Sequence, residues 1–342
     1  MKINLQPFSK SGPRTTAGAR AAFTLFELLT VLVILALLLG LTIPVMGRAR
    51  KTARLVNNQT LMREVAVACQ QFRLDNADQS PSYFTARELG SQANLNRGFS
   101  PMQSLLLNLM GGIAPSDSTD ASVLLNIGPA DRFVRVDPSR LRAGESSLRP
   151  GKTGYLNLSG NNLKTMAVGD ADEYPASGGL KVDPAIAGSP VFAVHSQIPE
   201  LIDDFGNPIL AWVEDERIRA EDTLVPYASN SSNDEKARFY YASNQMYLGA
   251  LGNSKSALYP SVNLDRRLAA LGAVTGSPAF PASINLIGIY TMPRASRSSI
   301  VLHSAGPDGV WLATAAAVQF PAGSGGIDPM TDFDDIVVGV GN

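Results

Sequence analysis

The chain has 342 residues and a formal net charge of -1, and 45% of it is apolar, which is enough to bury a substantial core. A charge balance this close to neutral argues against a nucleic-acid binder, whose phosphate-facing surface is basic. Cys69 is the one cysteine, which excludes an intrachain disulfide, and the two histidines, His195 and His303, are too few for the usual zinc patterns.

Charge is distributed unevenly from the start. The first 22 residues hold Lys2, Lys10, Arg14 and Arg20 and no acid, so residues 23 to 342 carry 25 of the 29 bases against all 30 acids. Arginines between Arg132 and Arg149 form the nearest approach to a basic cluster, but no aromatic side chains interleave them. Next comes the run from Phe23 to Met46, 24 residues, or roughly 36 Å as a helix against an apolar slab of roughly 30 Å. Length and composition predict a membrane span. Glu27 lies near its entrance and Pro44 near its exit, and Ala21 and Ala22 precede it. A carboxylate in hydrocarbon needs a partner or a function. Cleavage before Phe23 would supply one, because the new amine would lie four residues from Glu27.

These residues resemble a known signal. Ala22 to Pro44 is similar to the class III signal of type IV prepilins and type II secretion pseudopilins: a basic leader, a small residue, then F-T-L-F-E-L-L-T-V-L-V-I-L-A and a later proline. The resemblance implies a prepilin peptidase that cuts between Ala22 and Phe23 and N-methylates the new terminus. It also implies assembly through Glu27 and Pro44 with like or related pilin subunits, on an inner-membrane assembly platform. The expected location is the bacterial inner membrane, single-pass with an extracytoplasmic C-terminal domain, and the assembled form a periplasmic pseudopilus or cell-surface filament. Ala22 departs from the glycine commonest before the cut. The competing readings are an ordinary secretory signal ending at Gly47-Arg48-Ala49, and an uncut anchor.

After Pro44 the pattern becomes amphipathic. Leu55, Met62, Val65, Cys69 and Phe72 recur at helical steps, which predicts a helix from about 24 to 76. Arg54, Asn58, Arg63, Gln70 and Arg73 are expected to stay wet, and Cys69 to be a small buried hydrophobe. Pro44 predicts a bend or local melting. Asp75 to Pro81 ends the pattern.

From Ser82 onward short apolar runs alternate with breakers. Pro101 to Met110 and Asn263 to Val274 read as helices. Strand candidates are Phe133 to Val136, Tyr155 to Leu158, Val191 to His195, Ile209 to Val213, Arg238 to Ala242, Ile300 to His303, Val310 to Ala313 and Ile336 to Val340. The expected fold class is α+β, a long N-terminal transmembrane and amphipathic helix packed on a mainly antiparallel β-sheet domain. Its expected divisions are a leader (1-22), a transmembrane assembly helix (23-46), an extracytoplasmic continuation (47-80) and a pilin-like globular domain (81-342) with an insertion at 111-190.

Two further motifs extend the resemblance. Asp203-Asp204-Phe205-Gly206-Asn207-Pro208 looks like the D-x-W-G-N-P turn of pseudopilins, with Phe205 in place of tryptophan. Asp203, Gly206, Asn207 and Pro208 read physically as a structural turn that launches a strand at Ile209. Ser304-Ala305-Gly306-Pro307-Asp308-Gly309 and Asp332-Phe333-Asp334-Asp335-Ile336 resemble the C-terminal motifs of the major pseudopilin. Calcium takes six to eight oxygen ligands, so Ser304, Asp308, Asp332, Asp334 and Asp335, with Asp328 as a substitute, are candidate ligands. A solvated acidic tail in which Asp332 or Asp334 caps a turn is the competing reading.

No G-x-S-x-G, phosphate loop, dinucleotide fingerprint or Cys/His pair occurs, so a non-enzyme is expected, and no specific nucleic acid. The functional expectation is a structural prepilin-like subunit of a type II secretion pseudopilus or type IV pilus-like filament. The alternatives are a minor pilin for adhesion, DNA uptake or surface display, and a membrane-anchored enzyme or binding protein outside any filament.

Overall fold

The computed structural model describes residues 25–95, 97–129, 132–143, 154–158, 160–165, 194–218, 225–228, 230–231, 237–248, 298–308 and 335–340. At 41–45, 95, 142–143, 160, 225–228, 248 and 308 it describes the backbone alone. The chain divides into two units, Met1–Arg50 and Lys51–Asn342.

Helix α1 runs Leu25–Asp75 and belongs to both units. Its assignment passes Pro44 without a break, so the local melting expected there is not seen. In the second unit its sequence alternates wet and apolar positions, and Leu61, Met62, Val65, Ala66, Cys69 and Phe72 form one buried face. Asn58 lies on that face too and is fully buried, contrary to the expectation that it stays wet. Steps of three and four connect it to Leu55, Met62 and Val65.

Three short helices follow, α2 (Ala86–Leu89), α3 (Gln92–Leu95) and α4 (Pro101–Leu109). The start of α4 is written in three residues. Ser100 Oγ accepts from Gln103 N at 3.0 Å, Gln103 Oε1 accepts from Ser100 N at 3.2 Å, and Pro101 occupies the first turn, where its missing donor costs nothing. Every residue of α4 is buried. Thr85 and Glu88 form the same reciprocal cap on α2.

Strands β1 (Leu124–Ile127) and β2 (Val134–Val136) form an antiparallel pair, followed by α5 (Pro138–Ala143). A second antiparallel pair joins β3 (Leu163–Lys164) to β4 (Glu200–Leu201). The largest described sheet is antiparallel, in the order β5 (Leu210–Val213), β8 (Ile300–Ser304), β9 (Ile336–Val340). Leu210 stands opposite His303, and Ser304 opposite Ile336. Strands β6 (Val225–Ala228) and β7 (Ala237–Tyr240) pair in parallel, and α6 (Gln245–Leu248) follows a 3-10 turn at Tyr241–Asn244. The α1 face, α4, and Ala211, Val213, Ile300, Leu302, Ile336 and Val340 from the large sheet share one apolar core.

The fold class expected from the sequence is corrected at its first element. The chain is α+β with mixed helices and strands, but among the described residues no helix is long and apolar enough to cross a membrane. The first turns of α1 are not uniformly apolar. They include Glu27, and Arg48, Arg50, Lys51 and Arg54 follow. The transmembrane assembly helix, the single-pass inner-membrane location and the pseudopilus or pilus-like filament subunit role built on it are therefore not supported.

Two strand expectations also fail locally. Tyr155 to Leu158 runs without strand pairing, held by a bond from Leu156 N to Leu109 O at 3.1 Å, and Val194 and His195 are helical. The expected helix at Asn263 to Val274 and strand at Val310 to Ala313 lie outside the described residues.

Candidate functional site

Two features of the sequence-predicted set can be built from residues upward: the turn after β4, and the N-terminal stretch of α1.

The turn begins where Ile202 bridges to Pro208, and Asp203 N donates to Asn207 O at 2.8 Å. Gly206 adopts φ +89°, a left-handed conformation natural to glycine. The buried Asp203 organises the loop. Its Oδ1 accepts from Phe205 N at 2.9 Å and Asn207 N at 2.8 Å, and its Oδ2 accepts from Ser304 Oγ at 2.7 Å. Burial pushes the Asp203 carboxyl up to about 6, against the opposing pull of the Ser304, Asn207 and Phe205 donors. The turn is also fastened to α1: Asn58 Oδ1 accepts from Asp204 N at 2.7 Å, and Asn57 Nδ2 donates to Asp204 Oδ2 at 3.0 Å. Arg54 lies over the Phe205 ring at 5.9 Å.

The structure thus brings Asp203, Gly206, Asn207 and Pro208 to Ser304 at the end of β8. Of the other calcium candidates, Asp335 enters β9 with Oδ2 at 2.5 Å from His303 Nε2. Trp212 Nε1, a donor only, faces His303 Nδ1 at 3.5 Å, which assigns the proton between His303 and Asp335 to Nε2. Both side chains of this pair are fully buried. The backbone of Asp308 closes a 3-10 turn at Gly306–Asp308, while Asp328, Asp332 and Asp334 lie outside the described residues. Among the described residues no group of three or more His, Cys, Asp or Glu side chains could hold a metal ion.

The N-terminal stretch has a different character. Glu27 is in the first turn of α1 and Pro44 is inside it; Ala22 and Phe23 lie outside the described residues. Large apolar side chains from Leu25 to Leu39 are exposed, from 83% at Leu25 down to 49% at Val31 and Leu35, so none of them is turned inward. Successive residues step about 100° around a helix, so consecutive exposed positions such as Val31, Leu32, Val33, Ile34 and Leu35 ring the whole circumference.

Sequence reasoning missed the docking asparagines and the His303–Asp335 pair. For Asn58 the signal was its register with the apolar face; for His303 and Asp335, 32 residues apart, a single sequence holds none.

No family model, curated protein or solved structure matches the chain. The comparisons therefore lend no support to a pseudopilin or a type II secretion role, and among the described residues no helix is long and apolar enough to supply the membrane anchor on which that role was built.

Proposed function

We propose that the protein is a non-catalytic assembly protein that associates with like or related subunits through the apolar stretch of α1. One observation carries this reading: the large apolar side chains from Leu25 to Leu39 are exposed around the whole helix. An amphipathic helix presents one stripe to a partner, whereas a helix apolar all round is stable only when covered on several sides. Side-by-side packing of several such helices supplies that cover, each buried leucine contributing about 1.5–3 kcal/mol.

Sedimentation of the full chain tests this. Leu32→Lys with Leu35→Lys keeps helix propensity while placing two charges in the stretch, and it is expected to weaken association by about 100-fold or more. Unfolding of the Lys51–Asn342 unit should not change. An unaltered association state in this variant would overturn the reading.

A further inference from the structure

Glu200 is the fully buried carboxyl that the turn and the core do not explain. It opens β4 and has no exposed surface, and the donors that bear on its carboxyl among the described residues are the Ser100 and Tyr247 hydroxyls, neither of them a cation. Most buried carboxylates are paired. Among the described residues the groups near Glu200 supply hydroxyls and no counter-charge. On β3 its register partner is Lys164, which is half-buried and forms no ion pair with it among the described contacts. Helix α4 carries no charged residue and is preceded by Ser100; Ser100 Oγ accepts from Gln103 N, which leaves its O–H to donate towards Glu200, and Gln103 Nε2 donates to Ile198 O at 3.2 Å. Tyr247 is the one titratable residue of α6, and the nearby Glu200 and burial raise its hydroxyl well above the ordinary value. The Ser100 and Tyr247 hydroxyls favour the charged form of Glu200 less than burial disfavours it, and no cation among the described residues compensates. The other titratable groups near in sequence, His195, Asp203 and Asp204, are held by their own partners.

We propose that Glu200 is a buried proton switch: its neutral carboxyl lets β4, the first turn of α4 and α6 pack together, and its ionisation opens that junction. Neutrality is what the site can accommodate, since a lone carboxylate here would be desolvated without a counter-charge. Burial pushes this carboxyl up to about 8, so the proton is held at neutral pH and lost in mildly alkaline surroundings.

The sign of the effect follows from proton counts. The unfolded chain releases this proton near an ordinary glutamate value, about 4.3, and the folded chain near 8. Between those values the folded state binds more protons, so stability falls as pH rises. Two other groups act lower on the scale. Burial lowers His195 to about 4, which makes stability rise as pH climbs to about 6.5, and the Asp203 contribution is complete by about 6. From about pH 6.5 to about pH 8 the fall expected from Glu200 therefore continues after the His195 and Asp203 contributions are complete, and below the range where the buried Cys69 thiol, pushed up to about 12, adds a fall of its own.

Urea unfolding of the full chain across that window is the test. The midpoint is expected to fall with pH in the wild type and to stay flat in Glu200→Gln, which keeps the shape and cannot ionise. An equal fall in both chains would overturn the proposal. Infrared difference spectroscopy of the wild type needs no variant: the neutral-carboxyl band should vanish with a midpoint near 8, and its absence at neutral pH would overturn the proposal even if the variant fails to fold. Hydrogen exchange supplies the location. Alkaline loosening confined to the first turn of α4, β4 and α6 supports the switch, and loosening spread evenly over the Lys51–Asn342 unit defeats it.

Discussion

Helix α1 contains two sequences with opposite fates. From Leu25 to Leu39 nearly every position is apolar, and all of the large side chains there are exposed. From Leu61 to Phe72 apolar residues alternate with Arg63, Glu64 and Gln70, and the apolar ones other than Val67 are buried. The segment richer in apolar residues is thus the one that buries none of them within the unit to which it belongs. Composition measures how much surface wants cover; periodicity decides whether the chain's own core can supply it. A stripe can face one core, but a ring of apolar side chains needs neighbours on several sides.

The sharpest way to break this comparison is to remove bulk from the buried stripe. Phe72 is 3% exposed and meets the Tyr155 ring edge-on at 5.3 Å between centroids. Phe72→Ala is expected to lower the unfolding free energy by about 3–5 kcal/mol, combining lost transfer energy with a cavity. Val67 lies on the same helix but is 62% exposed, and Val67→Ala should change stability by no more than about 0.5 kcal/mol. Denaturant melts of the two variants read both numbers. Similar losses at the two positions would mean that the stripe does not define the core contact.

How much of this was legible from residues alone depends on the range of the interaction. The start of α4 was readable because Ser100, Pro101 and Gln103 cap it within four positions. Strands β5, β8 and β9 were readable as apolar runs, whereas their order β5-β8-β9 was not, because pairing of distant strands leaves no local mark. The site divides the same way. Asp203, Gly206, Asn207 and Pro208 announce a turn through local bonds, but its attachment to Asn57 and Asn58 spans 146 residues or more. The membrane span was expected from the composition of residues 23 to 46, and among the described residues no helix is long and apolar enough to bear it out. Tyr155 to Leu158 was misread as a strand because alternating side chains also suit an extended segment held by a single bond to Leu109 O.

A smaller loss is expected at the turn. Asp203→Ala removes the acceptor of Phe205 N, Asn207 N and Ser304 Oγ together, and leaves buried donors without a partner. Offsetting this, it relieves a carboxyl whose burial is itself unfavourable. The net cost should be about 1–3 kcal/mol at neutral pH, and Asp203→Asn, which keeps the acceptor oxygen, should recover part of it. Because the folded-state value is raised to about 6, the wild type loses stability from this group as pH rises from about 4 to about 6, and both variants should lack that component. Unfolding free energies measured at the two ends of that range decide the matter. An unchanged slope in both variants would assign it to another group.

The smallest effect isolates backbone from packing inside the same turn. Gly206 has φ +89°, and a Cβ built there meets nothing within 4 Å. Any cost of Gly206→Ala must therefore come from forcing an L-residue into the left-handed region, about 1–2 kcal/mol, reduced by the entropy that alanine removes from the unfolded chain, about 0.4–1 kcal/mol. A net loss near 1 kcal/mol follows. Asparagine tolerates the left-handed region better than alanine because its short side chain bonds its own backbone, so Gly206→Asn should lose less. The order glycine, asparagine, alanine in thermal midpoint is the expected result. Packing would predict otherwise, since the larger asparagine would be the worse fit in a crowded site. An asparagine variant less stable than the alanine one would show that space around the turn, and not the sign of φ, governs position 206.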